Sequence, residues 1–138
     1  MNRVARCTCG DLSIKVQGEP KLSLACNCVN CQRRTGSVFG VSAYFDNNSI
    51  IEKTGCPSHF QGESDSGKKI TTSFCSKCGS TVFWEADFFH GLVGIAVGCF
   101  SDPDFPEPST AAWTDSKHKW VSFPEYWHCL KKQESKNA

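Results

Sequence analysis

Three thiols fall within six residues at Cys26-Asn27-Cys28-Val29-Asn30-Cys31, a density of sulfur that core packing does not require and zinc coordination does. Two further pairs flank them, Cys7-Thr8-Cys9-Gly10 and Cys75-Ser76-Lys77-Cys78-Gly79. Seven of the ten cysteines therefore stand in C-x-C or C-x-x-C spacings suited to tetrahedral thiolate ligation. A closed zinc site takes four protein ligands, and the outer pairs supply four in Cys7, Cys9, Cys75 and Cys78. The middle triplet is left with Cys26, Cys28 and Cys31. A zinc held by three protein ligands keeps its fourth position for water or a substrate, the arrangement of a catalytic centre. Spacing does not settle which pairs combine, and the triplet alternatively recruits Cys56, a histidine or a carboxylate and becomes a second structural site.

Other readings of the same sulfurs are weaker. Close pairs disfavour a disulfide framework, because a bridge needs α-carbons at least about 4.4 Å apart with suitably directed side chains. Cys28-Val29-Asn30-Cys31 is formally a redox C-x-x-C, yet no helical pattern surrounds it. Cys56, Cys99 and Cys129 stand alone and read as buried small hydrophobes, Cys99 being the one placed to approach a metal. His59, His90, His118 and His128 are singletons; the loop carrying His90 could approach the site.

The elements that must position the thiols are strands. Leu12, Ile14 and Val16 alternate with polar residues, and Leu22, Leu24 and Cys26 repeat the pattern, which delivers the triplet at a strand end before a turn closing on Cys31. Val38–Phe45 is rich in aromatic and branched residues, and Ser58–Gln61 can pair with Ile70–Phe74 across a polar loop at 62–68. Thr81–Trp84 and Leu92–Gly98 are the most continuous apolar runs and should be central strands. After Cys99, Pro103, Pro106 and Pro108 predict an irregular surface segment, and Trp113 and Trp120 complete the core or cover a pocket wall. An all-β domain follows, with at most one short helix near the C-terminus, over Pro124–Lys132, and a polar tail from Lys131 expected to fray.

With 138 residues the chain is the size of one domain. Fifteen basic and fourteen acidic residues give a net charge of +1, which makes no electrostatic case for nucleic acid or an anionic membrane. No segment is long enough to cross a bilayer, and Met1–Arg6 lacks the apolar run of a signal peptide, so a cytoplasmic location is expected. In that reducing compartment clustered cysteines point to metal.

Taken together, Cys7-Thr8-Cys9-Gly10, the run from Cys26 to Gly36, Phe74-Cys75-Ser76-Lys77-Cys78-Gly79 and the strand Gly94–Gly98 resemble the glutathione-dependent formaldehyde-activating enzyme family, which includes centromere protein V, from about Cys7 to Trp120. The resemblance implies small antiparallel sheets around a zinc-ribbon-like core, similar to methionine sulfoxide reductase B. It implies two zinc sites, a structural one on Cys7, Cys9, Cys75 and Cys78 and an open one on Cys26, Cys28 and Cys31. It also implies carbon–sulfur lyase chemistry, the joining of a thiol such as glutathione to formaldehyde. Many members carry histidine where this chain has Asn27, and another shortly before the aromatic at Trp113, where this chain has Ala111 and Ala112.

Three thiolates outweigh the charge of Zn²⁺, so a thiol bound as thiolate suits such a centre better than strong water activation. Arg33 and Arg34 offset the thiolate charge and can hold a substrate carboxylate through paired hydrogen bonds, or are solvated charges on a turn. Thr35 or Ser37 stands close enough in sequence to donate to the developing alkoxide. The competing reading is a zinc-stabilised binding module without catalysis, the oligomeric state being open in either case.

Overall fold

The computed structural model describes residues 1–64 and 67–132. The expected tail therefore lies, beyond Lys132, outside the described residues, as do Asp65 and Ser66 of the polar loop. Among the described residues eleven strands and one α-helix follow in chain order: β1 (Asn2–Arg6), β2 (Ser13–Gln17), β3 (Leu22–Cys26), α1 (Val29–Thr35), β4 (Gly40–Asp46), β5 (Ile50–Thr54), β6 (Pro57–Glu63), β7 (Lys69–Cys75), β8 (Thr81–Ala86), β9 (Leu92–Ala96), β10 (Thr110–Ala112) and β11 (His128–Cys129). The all-β expectation holds. Strands β1, β2 and β5 form a three-stranded sheet, and the others an eight-stranded sheet in the order β11-β10-β3-β4-β9-β8-β7-β6. Pairing is antiparallel except at one edge, where β10 runs parallel to both β3 and β11. Among the described residues no helix is long and apolar enough to cross a membrane.

Period-two alternation divides the large sheet into two unlike faces. Ala43, Ile95, Phe83 and Ser73 are register partners across β4, β9, β8 and β7, and all four are buried. Ala43, Ile95 and Phe83, with Phe45 and Val93, pack on Ala5, Ile14 and Val16 of the small sheet to form the core. The opposite face carries a second row of partners, Leu22, Tyr44, Gly94, Trp84, Thr72 and Phe60, one from each of six strands. A register shift between Ser73 and Phe74 puts Val82 into the core and lets both Thr81 and Trp84 face away from it.

Two local expectations are corrected. The segment after Cys28 is a helix, not a turn: Cys28 is its N-cap, with its sulfur accepting from the Cys31 N–H, and Gly36 ends it in the left-handed conformation with φ 68°. The short helix expected at Pro124–Lys132 does not form. The N–H groups of His128 and Leu130 are taken by Ser109 and Ala111 carbonyls as β11 docks on β10, which leaves none for a helical ladder. Cys56 and Cys129 are exposed, contrary to their reading as buried hydrophobes, and Trp120 is 75% exposed.

Candidate metal centres

Cys7 and Cys9 follow β1, while Cys75 ends β7 and Cys78 lies in the turn to β8. Each pair precedes a glycine with positive φ, Gly10 at 86° and Gly79 at 81°, which lets the chain turn back tightly enough to aim backbone N–H groups at sulfur. Leu12 N donates to Cys7 Sγ at 3.2 Å, and Lys77 N donates to Cys75 Sγ at 3.4 Å. The four sulfurs all lie within 4.8 Å of one another. Cys9 Sγ is 3.7 Å from that of Cys7 and 3.6 Å from that of Cys75. Four thiolates arranged tetrahedrally about zinc at 2.3 Å would be about 3.8 Å apart, so the spacing fits the metal. It is far too long for a disulfide, about 2.05 Å, and all ten cysteines are free. The Ser80 hydroxyl, 3.3 Å from Cys78 Sγ, holds that thiol down at about 5, which favours the ligating thiolate.

Cys26, Cys28 and Cys31 form the second cluster, again with sulfurs within 4.8 Å. Strand β3 brings Cys26 to its end, and the turn into α1 presents the other two, Cys28 buried and Cys31 half-buried. Helix α1 lies against Gly40 of β4, where a Cβ would come within 2.8 Å of Arg34 Nη2 and 3.2 Å of Thr35 Cγ2. No histidine, carboxylate or fourth cysteine joins the triplet within that distance among the described residues. Hydrogen bonds from the Cys26 and Cys28 thiols, followed by the Arg34 guanidinium, draw Cys31 down to about 3, while hydrogen bonds with Cys28 and then Cys31, and burial, push Cys26 up. One thiolate stabilised by two thiols and a cation is a donor set that matches a soft divalent metal. The C-x-x-C does open a helix, contrary to expectation. What separates the site from a simple dithiol is the third sulfur, on Cys26.

The triplet lies at the wall of a cavity of about 900 Å³ bounded by the second face of the large sheet. Arg33, exposed, and Arg34, half-buried, also line it. Arg34 stacks 4.3 Å above the Trp84 ring. Thr35 and Ser37 do not line the cavity: the Thr35 hydroxyl donates to Cys31 O at 2.8 Å and accepts from Ser37 N at 3.0 Å, closing the helix end. His90 is exposed and away from the cavity, whereas His128 lines it. Cys99 borders a smaller hollow with Cys7 and Cys9. Trp113 forms part of the large cavity's wall, with its backbone at φ 56°.

Sequence reasoning missed Tyr44, Trp84, Phe89 and His128. The first two could have been found from alternation, since Tyr44 pairs with Leu22, four residues before Cys26 on the same strand face. Trp84 Nε1 donates to Tyr44 Oη at 3.2 Å, and Tyr44 packs edge-on against Phe89 at 4.6 Å. Burial pushes the Tyr44 hydroxyl up, with negative charge on Cys31 adding to the effect, so it stays protonated.

The family model described as "Glutathione-dependent formaldehyde-activating enzyme" matches residues 2–116. None of the curated proteins matches the chain. A crystal structure of a Rhodobacter sphaeroides protein is similar in fold, with a TM-score of 0.58 at 19% identity, covering 76% of this chain and 96% of that one. With most of its length matched by that family model, the chain belongs to the glutathione-dependent formaldehyde-activating enzyme family.

Proposed function

We propose that the chain is a zinc-dependent carbon–sulfur lyase that reversibly joins a thiol such as glutathione to an aldehyde, with Cys26, Cys28 and Cys31 as the reaction centre. Cys7, Cys9, Cys75 and Cys78 serve as a structural zinc site. The observation that carries this reading is a cluster of three sulfurs on a large cavity with, among the described residues, no fourth protein ligand beside it. Family membership supports the reaction class. Bound there, zinc would accept the substrate's sulfur in its fourth position and favour the thiolate form.

The protein's own residues divide the remaining tasks. Arg34, held between Cys31 and Trp84, balances the charge of the cluster. Arg33, exposed on the cavity lining, offers a guanidinium fork to a substrate carboxylate. As the new C–S bond forms, the carbonyl electron pair moves onto oxygen and must be protonated. Tyr44, kept neutral in the cavity wall, supplies the hydrogen bond to that oxygen. Thr35 and Ser37 have no part in this scheme.

Replacing Cys28 by Ser should lower zinc from two ions per chain to one and abolish acceleration of thiohemiacetal exchange, read by metal analysis and NMR exchange spectroscopy. Full turnover with one zinc lost would remove the triplet from the mechanism. X-ray absorption separates the alternative: four sulfur ligands on the second zinc at rest, unaltered by added thiol, would make the protein a binding module.

A further inference from the structure

The cavity is far larger and far less polar than formaldehyde requires. Its volume of about 900 Å³ stands near the top of the range that encloses drug-sized ligands, about 300–1,000 Å³, whereas formaldehyde has a single carbon. Glutathione fills part of the space but brings one ammonium and two carboxylates. Among the described residues the lining contains no Asp, Glu or Lys, and its fixed cations are Arg33 and Arg34, two and three residues from Cys31. Among the described residues, fixed positive charge is therefore offered beside the triplet, with His128 the other basic side chain of the lining.

The wall also includes Leu22, Leu24, Phe74, Phe88, Phe89 and Trp113, together with His128 and the hydroxyls of several Ser and Thr side chains. These rings are not randomly packed. Phe89 meets Tyr44 at 4.6 Å and 66°, and Phe88 at 4.9 Å and 70°, both edge-to-face, leaving ring surface for a further aromatic partner. Gly94 contributes by absence: a Cβ there would lie 2.2 Å from Trp84 Nε1, so the strand has given up a side chain to let the indole lie over it. Trp113 is held in a left-handed conformation, its carbonyl accepting from Ser116 N and Oγ, both at 3.2 Å. Backbone strain of this kind persists where the surroundings over-determine it. Water in such a space is poorly bonded, and an apolar group that displaces it gains affinity.

We infer that the aldehyde partner of this site carries a bulky aryl group, so that the protein handles aryl-substituted thiohemiacetals of glutathione in preference to the formaldehyde adduct. This rests on the thiol–aldehyde reading of the triplet. The step is a plain addition: sulfur bonds to the carbonyl carbon, the C=O π pair goes to oxygen, and the thiol proton ends there. Nothing is oxidised or reduced. The reverse step splits the same C–S bond and returns both partners.

The test compares S-benzylglutathione with S-methylglutathione, unreactive thioethers sharing one tripeptide, by calorimetry on zinc-loaded protein. The benzyl conjugate should bind about 10- to 100-fold tighter, and the preference should shrink to a few-fold in Leu24→Gln and in Phe89→Ser, each checked for two zinc ions per chain. Equal affinities in the native protein overturn the inference. A second arm follows thiohemiacetal exchange of glutathione with phenylacetaldehyde and with formaldehyde. Faster acceleration with phenylacetaldehyde supports the inference. Acceleration with formaldehyde alone overturns it while leaving the thiol–aldehyde reading standing, and acceleration with neither overturns both.

Discussion

Asn27 shows how closely single residues bind the triplet to the rest of the molecule. It is fully buried between two clustered cysteines, and its Nδ2 donates to Ala112 O at 2.9 Å while its backbone carbonyl accepts from Gln32 Nε2 and Ser116 Oγ, both at 2.9 Å. The two places where this chain departs from what many family members carry, Asn27 and Ala111-Ala112, are thus hydrogen-bonded to each other. Tyr44→Phe should leave both zinc ions in place and lower turnover by about 10²-fold, the cost of one well-placed donor; unchanged turnover would exclude the hydroxyl. The Tyr126 hydroxyl, then the Trp127 indole N–H at 2.6 Å, hold the Glu107 carboxyl below its ordinary range. A depressed folded value gives stability that is present above the unfolded carboxylate value and is lost as pH falls through the folded one. Fluorescence of the Trp127 segment should therefore change below about pH 4, and Glu107→Gln should abolish that transition.

At the scale of elements, the sheet works because its two faces have different tasks. Gly94→Ala forces Trp84 off its strand and should destabilise the protein by about 1–3 kcal/mol, as overpacking does. It should also weaken the Arg34 stack; an unchanged denaturation midpoint would show that the indole simply swings aside. Most strands were legible from alternation, Leu22-Leu24-Cys26 and Ser58–Gln61 with Ile70–Phe74 among them. Helix α1 was not, because seven residues cannot display a helical period and its start is set by a cysteine sulfur capping the Cys31 N–H, a role no capping rule assigns to thiols. Strands β10 and β11 were hidden for another reason. Three and two residues long, they exist through parallel pairing, β10 with β3 far away in the chain and β11 with β10, and not through any local preference. The clustered cysteines could be counted from spacing, whereas the cavity could not, since its wall gathers residues from seven strands, helix α1 and several loops.

For the whole molecule, the four-cysteine cluster is the tie between parts that share little sequence. It joins the end of β1 in the small sheet to the β7–β8 turn of the large one, and Lys77 and Asp11 add an exposed ion pair at 2.6 Å across the same junction. Cys75→Ser should lower the metal content by one ion per chain, lower the thermal midpoint and make unfolding less cooperative, because a metal held by these four thiols would add its binding free energy to that of folding. Retention of a single sharp transition at the native midpoint would show that the apolar core alone joins the sheets. The parallel edge has a further consequence. All seven clustered thiols precede residue 79, while the strand whose Ala112 carbonyl anchors Asn27 begins only at Thr110. As the chain leaves the ribosome, the ligands emerge first and the wall that shelters three of them emerges last, so the nascent polypeptide passes through a stage in which its reactive sulfurs are complete but unguarded.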